Sequence, residues 1–146
     1  MEGLCDAQGV KLSDCFANSF CLSADVSNAF DPNWPETCDK RNNSQLNYGV
    51  AICKYTGSRG KGGASDASAE AMGHVRSTLD KAGVIWQIAL WVDQGGGGTV
   101  AAYMANRNIV TVDAGVPVLS MHAPLELVSK LDCYETMLAC KAIYLA

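Results

Sequence analysis

Tyr48-Gly49-Val50-Ala51-Ile52-Cys53-Lys54-Tyr55, then an apolar residue at every fourth position (Ala67, Ala71, Val75, Leu79), then Val84-Ile85-Trp86-Gln87-Ile88-Ala89-Leu90-Trp91-Val92 reads as strand, helix, strand. The spacing of four puts those four side chains on one face of an amphipathic helix running to about Lys81. Gly57 through Gly63 make a flexible turn ahead of it. Ser65 or Asp66 supplies an oxygen for the free N–H groups of the first helical turn. Gly83 suits the left-handed residue just past a helix end. Val84–Val92 is apolar on both faces, which predicts a strand in the middle of a sheet.

On the N-terminal side, Leu12, Phe16 and Phe20 predict a short helix within residues 10–20. Phe20-Cys21-Leu22-Ser23-Ala24-Asp25-Val26 predicts a buried strand that ends at a carboxylate. Residues 27–47, rich in Asn, Asp, Pro and Ser, predict a long irregular loop, a feature usually tied to function or to an interface. On the C-terminal side, Gly95 to Gly98 lead into a helix over 99–106, Ile109–Val112 forms a short strand, and a helix covers about 125–145. Strands alternating with helices imply an α/β layered sandwich: a central, mostly buried mixed sheet with helices packed on it. Residues 1–146 are expected to form a single domain.

Composition narrows the function. The chain is 49% hydrophobic and 18% charged, with a net charge of −4, which is globular rather than disordered. Basic residues are scattered; Lys54, Arg59 and Lys61 are the densest group, so no nucleic-acid footprint is expected. No apolar run approaches the roughly 20 residues needed to span a bilayer, and no membrane association is expected. Met1-Glu2-Gly3-Leu4-Cys5-Asp6 has no basic segment leading into an apolar one, unlike a secretory signal. Seven cysteines, none spaced Cys-x-x-Cys, fit buried thiols in a reducing, cytoplasmic setting.

Few residues are placed for chemistry. His74 falls mid-helix, where a structural role is expected. His122 follows an apolar strand, the end at which open α/β sheets place ligands. Asp25 also ends an apolar strand, where a carboxylate is costly without a metal, a cation or a cap to satisfy it. Asp93 and Asp113, each close to a glycine, are expected to brace turns, with Asp93 the better functional candidate. The Gly95–Gly98 run before a helix could hold an anion. It lacks the Lys of a phosphate-binding loop and the spacing of a dinucleotide fingerprint. No Gly-x-Ser-x-Gly elbow is present.

Five ordered segments carry a resemblance: Ser23-Ala24-Asp25-Val26, Asp31-Pro32-Asn33-Trp34, Lys54-Tyr55-Thr56-Gly57-Ser58-Arg59-Gly60-Lys61, Val92 through Val100, and Val112-Asp113-Ala114-Gly115-Val116-Pro117-Val118-Leu119-Ser120-Met121-His122. From about residue 18 onward the chain resembles the aminopeptidase I and aspartyl aminopeptidase family of dinuclear zinc exopeptidases, its bacterial aminopeptidase I branch in particular. The resemblance implies two zinc ions about 3.5 Å apart, as in two-metal hydrolases generally. It also implies release of N-terminal residues from a peptide substrate by metal-activated water, and assembly into homo-oligomers. By the same resemblance Asp25 and His122 match metal ligands, one for each ion, and Gly97, Gly98, Thr99 and Lys54 match the substrate pocket.

The family's His-x-Asp motif, its bridging aspartate and its adjacent Glu-Glu pair have no counterpart in these residues, nor does its dimerisation domain. Those elements are expected to precede residue 1. Catalytic zinc normally takes three protein ligands, so the chain alone is expected to hold zinc weakly or not at all and to be inactive. Two other readings stay open: a non-catalytic remnant that associates with itself, and a small-molecule or nucleotide-binding module built on Gly95–Thr99.

Overall fold

Two short helices, α1 (Glu2–Ala7) and α2 (Leu12–Ala17), precede β1 (Phe20–Ser23) and β2 (Val26–Asn28). A 3-10 turn over Pro35–Thr37 leads to β3 (Val50–Cys53), α3 (Ala69–Ala82) and β4 (Trp86–Ile88). The chain closes with α4 (Val100–Ala105), β5 (Val110–Leu119), β6 (Leu127–Val128) and α5 (Lys130–Tyr144). The computed structural model describes residues 1–37, 39, 41–56, 65–89 and 98–146.

The sheet is mixed, with the order β1-β5-β3-β4, and both β2 and β6 also pair with β5. β1 and β2 run parallel to β5, while β3 and β6 run antiparallel to it. β5 is therefore the spine. Its alternation separates two faces. Val112 and Ala114 join Val50, Ile52 and the α3 residues Ala71, Val75 and Leu79 in one apolar core, closed by Ala139 of α5. Asp113 sits in register with Ser23 on one side and Cys53 on the other, which makes the opposite face polar. α4 packs against β5 and β1, and a Thr99–Thr56–Asp113 chain of side-chain hydrogen bonds ties its start to that polar face.

The expected mixed α/β sandwich and the one-sided helix are both present; Ala67, Ala71, Val75 and Leu79 are all buried, and Gly83 adopts φ +68° at the helix end. Four details differ. The cap of α3 is Ser68, whose side chain accepts the Ala71 N–H at 3.1 Å; Ser65 is drawn away by a hydrogen bond to Asp113. The strand expected over 109–112 runs on to Leu119, because pairing on both edges overrides the poor strand propensity of Asp113, Gly115 and Pro117. The strand expected over 20–26 splits at Ala24–Asp25. β4, expected in the middle of the sheet, pairs only with β3 among the described residues.

The C-terminal helix also begins later than expected, because Leu127–Val128 is drawn into pairing with β5. Ser129 then caps it, accepting the Leu131 N–H. In its first turn, Asp132 is 0% exposed and its two oxygens accept the N–H groups of Asn47 and Gly49, each at 2.8 Å. Asn47 Oδ1 in turn accepts the Ser129 hydroxyl at 2.6 Å. This network fastens the entry of β3 to the start of α5, where the helix dipole also favours a carboxylate.

Replacing Asp132 with Ala leaves the buried Gly49 N–H and the part-buried Asn47 N–H without their acceptor. An unmade hydrogen bond to a buried group is costly, so the loss expected is roughly 3 kcal/mol or more. Urea denaturation of the wild-type and Asp132→Ala chains measures it.

Candidate metal and substrate cleft

Position 115 is where the fold sets the site. A Cβ on Gly115 would overlap the carbonyl oxygen of Asp25, and the Val116 N–H donates to that same oxygen at 3.2 Å. The bare α-carbon lets the β1–β2 junction lie flat against β5 at the one point where ladder pairing lapses. Asp25 occupies that lapse. It is exposed, and its Oδ1 accepts the N–H of Val26 at 2.7 Å.

The carboxyl end of β5 delivers the second residue. After Leu119 the chain turns through Ser120 (φ +59°) and His122 (φ +67°). The His122 N–H donates to Glu126 Oε1 at 2.6 Å, and the Ala123 N–H to the Ser120 carbonyl at 3.0 Å. Left-handed backbone at a non-glycine residue costs roughly 1–2 kcal/mol and is held only where its surroundings demand it. The turn brings the exposed His122 to a cleft of about 810 Å³, which Asp25, Thr99 and Asp113 also line.

Of the other candidate substrate residues, Gly98 is exposed and Gly97 lies outside the described residues. Lys54 forms an ion pair with Asp66 and donates to the Ala67 carbonyl at 3.0 Å; its neighbours Cys53, Tyr55 and Thr56 line the cleft. Asp93 and Gly95 to Gly97 also lie outside the described residues. His74 has the expected structural setting, edge-on to Phe20 with ring centroids 5.6 Å apart.

Asp113 departs from its expected role. It braces no turn but sits within β5, 6% exposed, on the floor of the cleft. Oδ2 accepts the Ser65 hydroxyl at 3.1 Å and the Thr56 hydroxyl at 3.3 Å. Beside it the Cys53 thiol is pushed up from 9.0 to about 11, first by burial, with the Asp113 charge adding and a Ser27 hydrogen bond opposing. Nothing local in the sequence marks this cluster beyond polar residues at alternate positions of β5.

Carboxylate oxygen and imidazole nitrogen are suitable zinc donors. Among the described residues, however, no group of three or more His, Cys, Asp or Glu side chains could hold a metal ion. Asp25 and His122 are a partial donor set.

Residues 5–144 match the sequence profile of the aminopeptidase I zinc metalloprotease (M18) family. The chain belongs to that family. An M18 family aminopeptidase 1 of Clostridium acetobutylicum is 49% identical over 133 residues, covering 90% of this chain and 29% of the relative. The crystal structure of the Thermotoga maritima M18 aminopeptidase superposes with a TM-score of 0.88 at 43% identity, over 94% of this chain and 32% of that one. Aminopeptidase I from C. acetobutylicum gives 0.87 at 47% identity, over 94% and 31%. The chain thus spans about three tenths of the length of these M18 relatives.

Two outcomes follow from the geometry of the cleft. Gly115→Ala forces a Cβ into a backbone carbonyl, with an expected cost of about 3 kcal/mol and displaced amide resonances at Asp25 and Val26, read by denaturation and two-dimensional NMR. At pH 8 iodoacetamide should label exposed Cys133 and spare Cys53, scored by peptide mass mapping. Because the folded Cys53 pKa is raised, its stabilising contribution is complete below pH 9.0 and is lost as pH climbs through about 11.

Proposed function

We propose that this chain forms the C-terminal part of the catalytic domain of a cytoplasmic zinc aminopeptidase, in which Asp25 and His122 each supply one metal ligand. The observation that carries the reading is the arrival of these two residues, from the β1–β2 junction and from beyond β5, at one cleft. Both stand in segments that resemble the family's metal motifs. The left-handed His122 backbone agrees with a residue held for function rather than for packing.

The peptide substrate lies along the same cleft, with Thr99 on its wall and Gly97, Gly98 and Lys54 as further substrate contacts. Asp25 and His122 would each hold one zinc ion, which when bound would supply Lewis-acid polarisation of the scissile carbonyl and activation of water. Among the described residues these two donors fall short of the three that catalytic zinc requires, so on this reading the chain alone is expected to retain zinc weakly and not to turn over. The complete protein acts as a homo-oligomer. Exposed Leu125, Leu131 and Leu145, with fractional exposures of 83%, 65% and 77%, favour coverage of this end of the chain.

Dialysed chain is expected to hold far less than one zinc per molecule by elemental analysis, and to leave aminoacyl anilides uncleaved. Zinc added in excess should shift the His122 imidazole resonances, and Asp25→Ala or His122→Ala should each weaken that response. An unmoved His122 imidazole would remove it from the ligand set. Chelator-sensitive turnover abolished by His122→Ala would show that the site is complete in this chain.

A further inference from the structure

We propose that Asp113 is the anionic anchor of the cleft and takes a primary ammonium group of the peptide ligand, from its N-terminal amine or from a basic side chain. This rests on the aminopeptidase reading and adds a contact to it. The carboxylate is only half satisfied: Oδ2 accepts two hydroxyls, whereas Oδ1 is buried with no hydrogen-bond partner among the described residues. Buried carboxylate oxygens are rarely left so, because desolvation without compensation is costly. A residue that lines a cleft and carries an unfilled acceptor is provided for by what enters that cleft.

The missing partner is a donor, and the surroundings select its charge. Lys54, which follows the Asp113 strand partner Cys53, is engaged by Asp66 and the Ala67 carbonyl, and no described ion pair includes Asp113. Its strand neighbours Ser23 and Cys53 are uncharged partners. A metal ion would need several more ligating side chains than the described residues gather. An ammonium has three N–H donors and no acceptor. It is matched by one free carboxylate oxygen together with the hydroxyl oxygens of Thr56 and Thr99, which lie 3.3 Å apart in the same cluster. Thr99 thereby gains a role, as part of the acceptor set that receives the ammonium.

The test is a titration of the isotope-labelled 146-residue chain, without zinc, near pH 6.5, where amines of pKa about 7.7 or above are charged. L-Leucinamide presents an α-ammonium, Nα-acetyl-L-lysinamide a side-chain ammonium, and N-acetyl-L-leucinamide no charge. We expect at least one of the cations, and not the neutral amide, to move the backbone resonances of Thr56, Ser65 and Ala114. Response to leucinamide alone assigns the α-amine; response to acetyl-lysinamide alone assigns a basic side chain. Asp113→Asn keeps the side-chain shape and should weaken cation binding about tenfold or more.

Equal shifts with the neutral amide, no shift with any compound, or undiminished binding by Asp113→Asn overturns the proposal. Should the variant unfold, the comparison of charged and neutral ligands on the unaltered chain still decides it. Because the readout needs neither zinc nor turnover, a negative result leaves the His122 zinc response standing. Loss of that response likewise leaves this binding untouched.

Discussion

The contact between the Asp25 carbonyl and the bare α-carbon of Gly115 is the constraint from which the cleft follows. β1 and β2 hold one register against β5 on either side of it, so the junction cannot swing outward without breaking both ladders. Any side chain at 115 would force that break. The lapse in pairing releases Asp25 from the ladder while keeping its backbone pinned by the Val116 N–H. A carboxylate at the edge of a strand gap is both rigidly based and open to solvent. Those are the properties a ligating or substrate-facing group needs.

The same strand divides the sheet into a face that holds the fold and a face that works. Val112 and Ala114 bury themselves with α3 and α5, and the hydrophobic effect accounts for that side. Asp113, Cys53, Ser27 and Thr56 line the cleft on the other. Burial that would penalise a charged thiol keeps Cys53 protonated, so the thiol adds no charge to the floor beside Asp113. Stability on one face thus supports a costly polar cluster on the other.

At the far end, Asp132 secures the geometry. Its oxygens hold two backbone N–H groups 85 and 83 residues away in the chain, fixing where β3 begins. β3 in turn sets Cys53, Lys54 and Thr56 relative to Asp113 on β5. A buried carboxylate that is fully hydrogen-bonded differs in kind from Asp113, which is not. The first reads as architecture and the second as a place for a partner.

What the sequence by itself determined is local or motif-borne. The four-residue apolar repeat placed α3 and its buried stripe, Gly83 marked its end, and the mixed α/β class followed from alternating elements. Asp25 and His122 were legible as candidates because ordered motifs surround them, although a motif could not say that they share a cleft. Tertiary structure decided the rest. Pairing on both edges extended β5 through Asp113, Gly115 and Pro117, none of which favours strand. Ser65 left the helix cap to Ser68 because a carboxylate 48 residues on claims its hydroxyl. Asp113 and Asp132 took their roles from distant partners. Periodicity records which side of an element faces the core, and a hydrogen bond between remote segments leaves no trace in it.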